Sequence, residues 1–191
     1  MVRLDKIYTK GGDQGITSLG DGKRVKKNNV RVDVYGDIDE ANSTIGLASS
    51  FCSPNIKIML LKVQNDLFDL GADLCIPDSS KKKSLKITEN HVNNLEIAID
   101  KMNEKLQPLG SFILPGGQKS SAFLHFSRCI IRRAERKLVT LSEKEHIHNV
   151  VFKYLNRLSD FLFVAARFEN KANGDILWEP ANVQNLNFEM E

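Results

Sequence analysis

The chain has 191 residues, of which 41% are hydrophobic and 27% charged, with a formal net charge of +3. That is enough chain for one domain with a core of its own, and the balance of apolar and charged residues is that of a globular protein, not a disordered one. So small a charge without a dense basic stripe argues against a nucleic-acid partner; no run approaches the roughly 18 apolar residues of a membrane span, and the N-terminus has no apolar signal segment.

Residues 1–34 carry no helical period. Within them "YTKGGDQGITSLGDG", Tyr8–Gly22, is rich in glycine and hydroxyls and offers a core almost nothing. It matches neither a Walker A loop nor a dinucleotide fingerprint. Gly11, Gly12 and Gly15 let backbone N–H groups converge, Thr9, Thr17 and Ser18 add hydroxyls, and Lys10 and Lys27 add charge. That inventory fits a polyphosphate cradle; the bland alternative is a flexible leader.

From Tyr35 to Lys171 the spacing predicts five helices. Ile38, Ala41, Ile45 and Ala48 mark the first, ending near Cys52. Pro54 starts a second with Ile56, Met59, Val63, Leu67, Leu70 and Leu74 on one stripe. "DSSKKKS", Asp78–Ser84, reads as a solvated connector, and Thr88-x-x-His91 opens a third helix reaching about Leu106. The fourth spans about 118–141 and the fifth about 147–171, with "FILPGG" as an apolar turn before them and an irregular tail over 172–191. Without clear β-alternation or repeats, the expectation is an all-α, five-helix antiparallel bundle in one domain, led by an irregular N-terminal loop.

On the fourth helix Phe123, Phe126, Ile130, Ala134, Leu138 and Leu141 share one face. Arg128, Arg132, Glu135 and Arg136 gather on another, with His125 beside them and Arg133 off to the side. Arginines stacked a turn apart repel unless an anion lies between them, and Arg is the residue for bidentate anion binding; a solvated basic face is the alternative. The fifth helix buries Tyr154, Leu158, Phe161 and Ala165, while Asn149, Lys153, Asn156, Asp160 and Arg167 form a polar line. Asp37, Asp39 and Glu40 at the start of the first helix suit its dipole and are natural counter-charges for those arginines. Glu143-x-x-His146 and Glu145-x-x-His148 mimic half of a di-iron motif, but both sit in one charged turn; no metal-ligating residue is assigned, and zinc is not expected. Cys52, Cys75 and Cys129 are an odd number without ligand spacing and suit reduced thiols in the cytoplasm, or in a mitochondrial matrix for a eukaryotic chain that has lost its leader.

"YTKGGDQGITSL", "YGDIDEANSTIG", "FILPGG", "RCIIRRAER" and "YLNRLSDFLF" occur together and in order, from about Tyr8 to Arg167. In this the chain resembles the PduO-type ATP:cob(I)alamin adenosyltransferases. The resemblance implies a homotrimer with active sites at subunit interfaces, where reduced cobalt attacks the 5′ carbon of ATP and the whole triphosphate leaves. It implies ATP and cobalamin as substrates, Mg²⁺ as cofactor, a reductase, and an adenosylcobalamin-dependent enzyme that takes the product. By the same resemblance Thr9, Lys10, Gly11, Gly12, Thr17, Ser18 and Lys27 wrap the nucleotide, with Arg132, Arg133, Glu135, Arg136, Asn156 and Asp160. Arg128 is expected to pair with Asp39 of a neighbouring subunit, and Phe112 to be an apolar wedge that displaces the lower cobalt ligand. On the residues alone Phe112 reads as a core side chain. The C-terminal tail, Trp178–Glu191, has no match in the family; Phe188 is a candidate to close over the corrinoid. A non-catalytic carrier of nucleotide or cobalamin, a nucleic-acid-binding protein and a helical interaction domain are the rival readings.

Overall fold

The computed structural model describes residues 7–80 and 85–180. Lys81–Lys83 of the connector and Phe188 of the tail lie outside the described residues. Five helices carry the fold: α1 (Val30–Ser49), α2 (Pro54–Leu74), α3 (Glu89–Asn103), α4 (Lys119–Ser142) and α5 (Asn149–Asn170). α4 packs between α1 and α5, α2 flanks α1, and α3 flanks α5. Short turns join α1 to α2 and α4 to α5, so each of these pairs runs antiparallel. One continuous apolar core runs through the bundle, from Val34, Ile45 and Leu60 through Leu124 and Ile131 to Tyr154 and Leu162.

The structure departs from the predicted pattern in four places. α1 begins at Val30, not near Tyr35, because Asn29 caps it, its side chain accepting from the Arg31 N–H at 2.9 Å. Arg31 interrupts the apolar period yet is 2% exposed, since its guanidinium donates to the Leu74 carbonyl at 2.5 Å and to Glu145 at 2.6 Å. On α4 the inward face is Leu124, Ile130, Ile131, Ala134, Leu138 and Leu141, whereas Phe126 is 53% exposed. Arg167 belongs to no surface line: it is buried, bonded to Asp175 at 3.0 Å and to the Gln107 carbonyl at 2.8 Å.

The leader contains a small hairpin, β1 (Ile16–Ser18) against β2 (Arg24–Lys26), with Thr17 opposite Val25. Gly22, at φ +96°, lets the intervening turn close. Leu19 is buried and Gly20 donates to the Cys75 carbonyl at 2.8 Å, so the hairpin is moored to the end of α2. The tail beyond α5 is not fully irregular either. Leu114 donates to Ile176, Trp178 donates to Phe112, and Ile113 pairs with Leu177 as an isolated antiparallel bridge.

His125 is turned into the bundle and not exposed on the stripe with Arg132 and Arg136. It is 2% exposed, lies edge-on to Phe163 at 5.9 Å between ring centroids, and neither ring nitrogen has a partner among the described residues. Burial, with Arg128 nearby, pushes its pKa down from 6.5 to about 4. The ring therefore stays neutral in the fold where the unfolded chain would protonate it. Between those values the unfolded state binds more protons, so stability declines as pH falls through the window from 6.5 toward 4. Urea melts on either side of that window should show a shallower pH dependence for His125→Leu than for the native chain; parallel losses in both would place the dependence elsewhere.

Candidate functional site

Two clusters contain most of the predicted site residues. The first is on α4 and α5. Arg132 and Arg136 are exposed, one turn apart. Arg136 donates to the Arg132 carbonyl at 3.0 Å, and neither guanidinium meets a carboxylate among the described residues. Beside them the Asn156 amide donates to Glu135 at 3.2 Å, joining the polar line of α5 to the stripe of α4. Arg133 behaves differently: its guanidinium binds Asp37 at 3.2 Å and Glu40, and Lys137 also reaches Asp37 at 3.1 Å. The acidic start of α1 thus neutralises Arg133 and Lys137 and leaves Arg132 and Arg136 with uncompensated charge.

Asp160 is drawn the other way. It accepts from Arg157 at 2.8 Å, and Arg157 also binds Glu96 of α3 at 2.9 Å. Arg128 is half-buried; among the described residues its Nε is enclosed without a partner, and its Nη2 lies 3.8 Å from the Cys129 sulfur. Asp39 is exposed and makes no ion pair with Arg128 within the chain.

The second cluster is the leader loop. Its tip folds back through Gly15 to Gly12 (3.1 Å) and Lys27 to Gly15 (2.8 Å). Arg24 clips it shut, bonding the Gly11 carbonyl and, at 3.1 Å, the Ser18 hydroxyl. A Cβ at Gly12 would lie 3.1 Å from the Lys27 ammonium nitrogen, so that charge rests close against the bare backbone of the loop. Lys10 holds a left-handed φ of +58°, a conformation costly for a non-glycine residue and one that clusters where the backbone is shaped for a ligand. Thr9, Lys10, Gly11 and Ser18 are exposed, and Thr17 is half-buried.

Among the described residues no hydrogen bond or ion pair joins this loop to the α4 stripe. Phe112 is separate again. It is 78% exposed and so not a core residue, and it is held by the tail: Trp178 donates to its carbonyl at 2.7 Å, the two rings lie 6.1 Å apart, and Ser111 donates to the Trp178 carbonyl at 2.8 Å.

Arg24, Lys137 and Trp178 escaped the sequence reading. The Gly-Asp-Gly turn between short polar strands is a hairpin signal that could have found Arg24. Nothing local marks Trp178, whose partner stands far off in sequence.

The sequence model of one family, described as cobalamin adenosyltransferase, matches residues 7–169. A corrinoid adenosyltransferase of Mycobacterium leprae is 45% identical, over 94% of this chain and 98% of its own. One from Bacillus subtilis is 47% identical, over 88% of this chain and 89% of its own. Among solved structures, a variant PduO-type ATP:corrinoid adenosyltransferase from Lactobacillus reuteri, complexed with cobalamin and ATP, superposes with a TM-score of 0.87 at 38% identity, covering 91% of this chain and 99% of that one.

Proposed function

The chain belongs to the cobalamin adenosyltransferase family, and we propose that it moves the 5′-deoxyadenosyl group of ATP onto the cobalt of cob(I)alamin, releasing adenosylcobalamin and triphosphate. Cobalt contributes the electron pair, the new Co–C bond forms at the 5′ carbon, and the C–O bond breaks with its electrons leaving on the triphosphate. This is alkyl transfer, so every phosphate must be held as one leaving group.

The observation that carries this reading is the division of charge on α4: Arg133 is neutralised by α1, while Arg132 and Arg136 stand unpaired beside the Glu135–Asn156 bond. Two free guanidiniums at that spacing suit phosphate oxygens, because their fork donates two parallel bonds to each anion. Asn156 can donate to and accept from the nucleotide while Glu135 fixes its orientation. The leader supplies the complementary half: Lys27 and Lys10, the hydroxyls of Thr9, Thr17 and Ser18, and backbone N–H groups around Gly11 and Gly12. Mg²⁺ supplies further charge neutralisation on the triphosphate. A donor set with a single carboxylate, Glu135, fits an ion that takes most of its ligands from phosphate and water.

The loop and the stripe come together between neighbouring subunits in this reading, which assigns the chain a homotrimer. In support, Ile58, Leu61 and Phe68 form an exposed apolar row on α2, 59, 60 and 68% exposed. Asp39 lies beside Phe68, and in this reading it pairs with Arg128 of another subunit, whose Nε has no partner among the described residues of its own chain. The whole chain, 1–191, acts as one catalytic unit. A reductase delivers cob(I)alamin, and an adenosylcobalamin-dependent enzyme takes the product. The location proposed is cytoplasmic: Cys52, Cys75 and Cys129 are all free thiols, and no described helix is long and apolar enough to cross a membrane.

Anaerobic mixing of the protein with ATP, Mg²⁺ and chemically reduced cob(I)alamin tests the reaction. Adenosylcobalamin absorbance should rise with stoichiometric triphosphate. Binding of both substrates without product would make the chain a carrier and overturn the catalytic reading.

A further inference from the structure

A third cluster lies on the edge of the bundle, apart from the residues assigned above. Asp78, in the connection after α2, meets His146 and His148, in the turn before α5. His146 Nδ1 is 2.9 Å from one carboxylate oxygen of Asp78, and His148 Nε2 is 3.3 Å from the other. The two rings stand 5.0 Å apart at 89°, and all three ligating atoms lie within 4.8 Å of one another. We propose that Asp78, His146 and His148 bind one zinc-class divalent cation, which clasps the α2–α3 connection to the α4–α5 turn.

Two imidazoles and a carboxylate are the donors of zinc, cobalt and nickel sites; magnesium and calcium prefer all-oxygen sets. Tetrahedral coordination at zinc bond lengths places ligands about 3.4 Å apart. The His148–Asp78 distance, 3.3 Å, is close to that value; His146 Nδ1, hydrogen-bonded at 2.9 Å to the other carboxylate oxygen, gives up that bond when the ion enters, and the remaining spread closes by rotating the exposed side chains. The backbones that carry the ligands are already fixed to each other. Buried Arg31 bridges the Leu74 carbonyl at the end of α2 to Glu145, next to His146, and Lys86 binds Asp73 at 2.6 Å. Little ordering is left for the ion to impose, so binding loses little to entropy. All three side chains are exposed, 67, 43 and 47% for His146, Asp78 and His148, which leaves a fourth position for water. Lys86 is the opposing charge, close enough to Asp78 to weaken the site relative to an all-neutral setting. Sequence spacing alone does not show this grouping, because Asp78 joins the two histidines from a distant connection.

The test uses the full-length protein without a histidine tag, with zinc and cobalt chloride as probes. Calorimetry should give one equivalent of Zn²⁺ per chain with micromolar affinity. Co²⁺ should give the visible absorption of low-coordinate nitrogen and oxygen ligation, without thiolate charge transfer. His148→Ala and Asp78→Asn should each lower the affinity by at least about tenfold to a hundredfold. His146→Gln, which retains a polar side chain, checks that the loss comes from ligation and not from a disturbed turn. Absence of saturable one-to-one uptake at micromolar zinc overturns the proposal. Uptake that survives the His146→Gln/His148→Ala pair and vanishes on blocking exposed Cys129 overturns it equally, by placing the ion on the thiol.

Discussion

Arg132→Ala is expected to lower the turnover of adenosyl transfer by about two to three orders of magnitude, the range typical of a preorganised donor removed from a developing anion. As the C–O bond breaks, negative charge grows on an oxygen of a group that already carries about four charges. A guanidinium bonded to that group binds the transition state more tightly than the ground state, so the loss falls on kcat more than on the affinity for ATP. Among the described residues Arg132 has no ion pair to give up, so its charge is available and its removal strands no carboxylate there. Arg132→Lys keeps the charge but not the fork and should fall between the two. Arg133→Ala is the contrast: it takes one of two cations from Asp37, which is 7% exposed and keeps Lys137, and part of its effect should appear as lost stability in urea. Stopped-flow kinetics on prereduced cobalamin decide the matter, and wild-type turnover in Arg132→Ala would return the stripe to a solvated surface.

Phe112→Ala should separate two steps. With chemically reduced cob(I)alamin the variant is expected to transfer adenosyl at close to the wild-type rate. With cob(II)alamin and a reductant in the assay, product formation should drop by more than about tenfold, the factor that corresponds to about 60 mV in a one-electron couple. An apolar ring against the metal excludes donor atoms and favours the reduced, lower-coordinate state. The structure supplies the ring for this: Phe112 is presented to solvent on a turn braced by Trp178, a placement with no value for core packing. Equal losses in the two assays would remove the wedge role and leave Phe112 as an ordinary contact surface for the corrinoid.

Helix existence was legible because packing repeats with the helical period: Ile38, Ala41, Ile45 and Ala48 on α1, like Tyr154, Leu158, Phe161 and Ala165 on α5, are all buried as their spacing implies. What periodicity could not reveal is polar burial. The pattern puts His125 beside the arginines and Arg167 on a polar line and gives Arg31 no role, yet each lies inside, the two arginines because a carbonyl and a carboxylate satisfy each guanidinium. In the candidate site the charges were legible but their pairing was not. The helical spacing sets Arg133 off to the side of Arg128, Arg132 and Arg136, and only the position of α1 shows that Arg133 meets Asp37 and Glu40 while Arg132 and Arg136 meet no carboxylate among the described residues. The Phe112–Trp178 contact and the Asp78–His146–His148 cluster were invisible for the same reason, since each depends on where distant segments of chain return.

The separation of the leader loop from the α4 stripe also has a genetic consequence. If each active site takes its loop from one subunit and its arginines from the next, a chain defective in Lys27 and a chain defective in Arg132 fail for different reasons and can repair each other. Each alone assembles only broken sites. Denatured together and reassembled at random in equal amounts, they place an intact loop against an intact stripe in about a quarter of the sites, as the statistics of a closed ring of subunits require. Two null alleles of this gene would then complement in one cell, and a diploid carrying both would retain activity that neither parent strain has.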